Sequence, residues 1–93
     1  MNYRLEVQSE AIIEIQKAFE WYEGQRAGLG YEFIEEIESG FERLCKNPQH
    51  YTAINQKYRR LRIKRFPYMI IYEIETEQVV INSIRGTRRK PKF

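Results

Sequence analysis

The chain has 93 residues, with 16 Lys or Arg against 13 acidic side chains, one His and one Cys. That length supports one domain, burying roughly 60–65% of its unfolded surface without staples. The single Cys45 excludes an internal disulfide and suits a reducing, cytoplasmic setting. The opening MNYRLEVQSE lacks the apolar core of a signal peptide, and the longest apolar run, Phe66 to Tyr72, is too short to span a bilayer. Charge is unevenly placed: residues 1–44 carry ten Glu against four cations, net −6, and residues 45–93 carry twelve cations against three Glu, net +9. A basic second half points to an anionic partner, nucleic acid or acidic protein.

Residues 2–7 alternate Tyr3, Leu5 and Val7 against Arg4 and Glu6, which predicts a half-buried strand. Ser9 is a candidate N-cap, with Glu10 in the first turn. Ile12, Ile15, Phe19 and Tyr22 then recur as one face of a helix running to about Ala27. Gly28 and Gly30 break that helix. A second carries Phe33, Ile34, Ile37, Phe41 and Leu44 inward and stops at Asn47-Pro48. Gly24 and Gly40, costly inside helices, suggest a close helix crossing.

Residues 48–57 read as a loop, followed by strands at about 58–65, 68–75 and 78–85 joined by short turns. The middle strand is apolar on both faces through Tyr72, so both faces should be covered. The tail GTRRKPKF carries no period. The expected fold is a single α+β domain of order β-α-α-β-β-β: an N-terminal strand, an antiparallel helical hairpin, and a three-stranded antiparallel meander in one mostly antiparallel sheet.

Several chemistries are excluded. The chain has no Asp, and its lone His and Cys give no metal-ligand spacing. Ser9, Ser39 and Ser83 have no triad partners, and Gly28-Leu29-Gly30 joins two helices, so it is no dinucleotide fingerprint. No cofactor is expected. Lone His50 reads as a solvated loop residue. Cys45 and the Phe19, Trp21, Tyr22 group read as packing.

The basic set is the informative feature. Alternation over 58–65 places Arg60, Arg62 and Lys64 on one face, and Arg59, Leu61, Ile63 and Arg65 on the other. With Leu61 and Ile63 turned to the helices, the three cations line the open face. Arg85 and the tail residues Arg88, Arg89, Lys90 and Lys92 extend a basin suited to phosphate.

Three strings, FEWYEGQRAGLGYEFIEEIE, NPQHY and RRLRIKRFPYMIIYEIE, occur in an order that resembles the RelE/ParE superfamily of type II toxin–antitoxin toxins, the plasmid stabilisation family. The resemblance covers nearly the whole chain. It implies a small cytoplasmic toxin, growth-inhibitory until bound by a cognate antitoxin. ParE-like members poison DNA gyrase, whereas RelE-like members cut messenger RNA on the ribosome with sheet basic residues and, in several cases, a C-terminal His or Tyr. This chain has Gly86 and Phe93 where many relatives carry His and a Tyr or Trp. The resemblance therefore favours the gyrase-directed branch, with Arg60, Arg62, Lys64, Arg85, Arg88 and Arg89 as target-binding residues. Were the chain an endoribonuclease, Arg62, Arg65 and Arg85 would stabilise charge and Lys64 would serve as base. A non-toxic nucleic-acid-binding module is the remaining reading.

Overall fold

The structure, a computed structural model, describes residues 2–87; Arg88, Arg89 and the rest of the tail lie outside the described residues. Element order is β1 (Arg4–Val7), α1 (Ser9–Gln25), α2 (Leu29–Lys46), a 3₁₀ turn (Pro48–His50), β2 (Thr52–Ala53), β3 (Arg59–Arg62), β4 (Tyr68–Glu75) and β5 (Gln78–Gly86). The sheet runs β1-β5-β4-β3-β2, with β1 parallel to β5 and every other pair antiparallel. The helical hairpin and the meander are as expected. The loop at 48–57 is not wholly irregular: Asn55 Oδ1 accepts the Lys57 and Tyr58 amides at 2.8 Å each, and this side-chain turn folds β2 back onto β3.

Helix α1 begins one residue earlier in capping terms than the sequence suggests. Gln8, in extended conformation, is the N-cap and its carbonyl accepts the Ile12 amide; Ser9 is already helical and caps nothing. The buried stripe is also rotated. Ala11 and Ala18 touch the core with Ile15 and Tyr22 beside them, whereas Ile12 is 51% exposed. Small side chains at the contact let the helix lie close to β5, and the larger isoleucines turn outward.

Gly28, at φ 92°, makes the left-handed turn between the helices. Glu23 reaches across from α1 and accepts the Gly28 and Gly30 amides at 2.8 Å each, so one carboxylate satisfies two free N–H groups at the start of α2. Gly30 is the glycine of the helix crossing. A Cβ there would stand 2.7 Å from the Phe19 carbonyl oxygen. Gly40 instead faces the sheet, where a Cβ would meet Ile70 Cδ1 at 2.8 Å, and Gly24 has nothing within 4 Å. Overpacking against fixed backbone costs about 1–3 kcal/mol, and alanine gains about 1 kcal/mol in helix propensity. Gly30→Ala is therefore expected to lower the urea midpoint, and Gly24→Ala to raise it.

Tyr72, fully buried on β4, donates its hydroxyl to the Pro48 carbonyl at 2.6 Å, tying the end of α2 to the sheet. Burial pushes its phenol from 10.0 up to about 12. The folded state thus holds this proton more tightly than the unfolded chain. The stabilisation is complete below pH 10 and lost as pH climbs from 10 to 12. Urea titrations should show a fall of about 2–3 kcal/mol across that window, smaller in Tyr72→Phe.

On β4, Ile70 and Tyr72 turn to the helices, with Phe33, Ile37, Leu44 and Leu61 completing the core. The sequence implied cover on both faces of this strand, but the structure covers them unequally. Met69 and Ile71, on the side away from the helices, are only half-buried.

An open basic face re-aimed by a bulge

The open face is organised by strand register. Arg60 stands opposite Ile71, which stands opposite Ser83; Arg62 stands opposite Met69, which stands opposite Arg85. With strands about 4.8 Å apart and alternate residues about 7 Å apart, Arg62 and Arg85 flank Met69 at about 10 Å, and Arg60 sits beside Arg62.

Arg85 reaches this face through an irregularity in β5. The register passes from Ile71↔Ser83 to Tyr72↔Ile81, so Asn82 is an extra residue. Val79 and Ile81 point inward at odd positions, and beyond the bulge the inward residue is Ile84. Without the extra residue, Arg85 would face the helices. The bulge turns it out. Glu14 of α1 supports the displaced backbone by accepting the Ile84 amide at 2.7 Å.

A cleft of about 510 Å³ opens here, lined by Tyr58, Ile71, Asn82, Ser83 and Arg85 and closed at one edge by the first turn of α1. Ser83 is buried, and Arg85 Nε donates to its Oγ at 3.4 Å. Asn82 donates to Glu73 at 3.2 Å. Tyr58 is the residue that sequence reasoning missed. Its even spacing with Arg60 and Arg62 was the available signal.

Not every predicted residue joins this group. Lys64 is exposed in the turn beyond β3, outside the strand row. Arg65 adopts φ 70° and turns back to α2, where its Nη2 lies 2.6 Å from Glu32 Oε1 and its Nη1 3.8 Å from Glu36. The hydrogen bond from Arg65 holds the Glu32 carboxyl below its usual range and raises the guanidinium. His50 is exposed and packs edge-on against Tyr51. Tyr22 joins the aromatic core, whereas Trp21 is 61% exposed. Cys45 is half-buried, and burial raises its thiol. Among the described residues, no three His, Cys or Glu side chains gather as a metal-holding cluster, and no helix is long and apolar enough to cross a membrane.

Three guanidinium groups over an apolar floor suit an anionic ligand. Each offers a planar fork of donors.

The family model described as "ParE toxin of type II toxin-antitoxin system, parDE" matches residues 5–91. In structure, the chain is similar to the chromosomal ParDE system from P. aeruginosa, at TM-score 0.81 and 12% identity over 92% of this chain and 97% of that one. It is also similar to the isolated E. coli RelE toxin, at TM-score 0.69 and 14% identity over 96% and 88%. The E. coli RelBE toxin–antitoxin complex gives TM-score 0.70 and 14% identity over 94% and 99%. No curated protein matches the sequence. With the family model running along nearly the whole chain and the fold agreeing, the chain belongs to the ParE toxin family of type II toxin–antitoxin systems.

Proposed function

We propose that the chain is a cytoplasmic growth-arresting toxin neutralised by a cognate antitoxin, and that it inhibits DNA gyrase through the open face of its sheet. The observation behind this reading is the convergence of Arg60, Arg62 and Arg85 from two strands onto one apolar floor. Like charges in a row on a rigid sheet repel unless solvent or a bound anion screens them, and a bound anion is the reading taken here. Solved relatives include a toxin–antitoxin complex, which supports an antitoxin as the partner that covers the toxin. Lys64, and Arg88 and Arg89 of the tail, extend the proposed contact surface by their charge. Strand cleavage by 2′-hydroxyl attack requires a base and an acid besides charge stabilisation. No histidine lines the cleft, and Arg65 is engaged with α2, which supports gyrase over message as the target.

One observation favours the ribosome-dependent endoribonuclease as a second reading: the Tyr58 phenol lines the same cleft as Arg85 and can donate a proton to a leaving 5′-oxygen. Induction in culture separates the two. Thymidine incorporation should stop before leucine incorporation, and co-expression of the neighbouring antitoxin should restore growth. Leucine incorporation failing first would favour the nuclease. Unimpaired growth, with soluble protein of the correct sequence, would reject the toxin reading.

A further inference from the structure

Helix α1 carries an outer face that no described residue covers. Ile13, Lys17, Glu20 and Gly24 are all exposed, Ile13 at 52%, and their spacing of four, three and four residues sets them in one line. The line runs on the side away from α2, because Phe19 and Glu23, which meet Tyr31 and the Gly28 and Gly30 amides, lie on the opposite flank. Exposed Trp21 stands beside it. Nothing inside the chain requires glycine at position 24: a Cβ there would meet no atom within 4 Å, and its φ is not positive. Glycine in a helix costs stability, so a close approach from outside the chain is the remaining use for it. The charges on this line are also unspent. Lys17 forms no ion pair among the described residues, and Glu20 receives only a 3.4 Å contact from the Gln16 side chain, at Oε2.

We infer that two copies of this chain associate through α1, antiparallel about a twofold axis level with residues 18 and 19. In that register Ile13 seats over the partner's Gly24, and Lys17 faces the partner's Glu20; the twofold repeats both contacts. The bare backbone at Gly24 lets the axes approach to about 8 Å, the short end of the helix-packing range. Both Trp21 rings fall on one flank of the seam and cover the Lys–Glu layers from that side. Charge selects the register. Sliding by three residues sets Lys17 against the partner's Lys17 in one direction and Glu20 against the partner's Glu20 in the other, and parallel in-register pairing does both; like charges so placed reject the arrangement. The contact is isologous, so it closes at two copies rather than growing. A 17-residue helix is about 25 Å long. Its contact buries less than the roughly 800 Å² per partner of a standard interface, so the dimer forms only at high concentration. The helices cover the side of the sheet opposite Arg60, Arg62 and Arg85, so the dimer leaves the basic face open. The inference is independent of the toxin's target.

Sedimentation of the purified chain over a wide concentration range is expected to show a monomer–dimer equilibrium. Lys17→Glu should raise the dissociation constant at least about tenfold, and the swap Lys17→Glu/Glu20→Lys should restore it. Gly24→Leu should weaken association by a similar factor while the urea midpoint of the dilute chain holds or rises, because leucine is the better helix former. A fold defect would lower both. Disulfide trapping reads the register. Ile13→Cys/Gly24→Cys in a Cys45→Ser background is expected to give a covalent dimer on mild oxidation. The two positions are about 16 Å apart along one helix, too far to close within a chain. Ile13→Cys alone leaves the two cysteines of the dimer about 16 Å apart and should trap at least about tenfold less. A chain that stays monomeric at every concentration would overturn the inference. So would association unchanged in Lys17→Glu, or equal trapping by the single and double cysteine variants.

Discussion

Replacing Arg60, Arg62 and Arg85 together by alanine is expected to abolish growth arrest while leaving thermal unfolding nearly unchanged. All three are exposed on the sheet face away from the helices, so their removal opens no cavity. A hydrogen bond to a charged group is worth about 1.5–3 kcal/mol. Three such losses weaken binding by about 10³-fold or more, at 1.4 kcal/mol per decade. If phosphates are bound, the log–log salt slope should flatten by roughly 2.7. Plating after induction and a melting curve on the same variant check both halves. Arrest retained at full strength would move the binding surface elsewhere.

Phe33→Ala is expected to carry the largest stability loss, about 3–5 kcal/mol. Phe33 is fully buried, and its ring centroid lies 5.3 Å from that of Tyr22, 5.4 Å from Phe66 and 5.3 Å from Tyr68. One side chain thus joins α2 to α1 and to the turn that starts β4. Against the 5–15 kcal/mol that holds a typical domain together, truncation leaves a marginal protein. Urea unfolding measures it, with Trp21→Ala, on an exposed ring, as the comparison at under about 1 kcal/mol. A loss below 1 kcal/mol for Phe33→Ala would mean the core is packed differently.

The helical hairpin and the meander were legible because their signals are strong and local: Phe33, Ile37 and Leu44 repeat with helical period, and Pro48 and Pro67 mark breaks. Features decided by tertiary contact were not. Ile12 has the spacing of a core residue, yet the close approach of Ala11 and Ala18 to the sheet turns it outward. β2 has two residues and no pattern of its own, and exists because the Asn55 turn returns it to β3. Half of the candidate site was readable by counting, since strict alternation sets Arg60 and Arg62 outward. Arg85 was named for its charge, but its orientation depends on the extra residue Asn82, which no period announces. Arg65 shows the opposite limit: charge suggested a site residue, and its left-handed backbone sends it to Glu32 instead.

The most direct measurement is a DNA gyrase supercoiling assay with purified chain, run beside primer extension on ribosome-bound message. Supercoiling should be inhibited by the native chain and spared by the Arg60, Arg62, Arg85 triple variant, with message intact in both. Codon-positioned cuts in message that vanish in Tyr58→Phe or Arg85→Ala, with supercoiling unaffected, would contradict the gyrase reading and make the cleft an RNA-cleaving site.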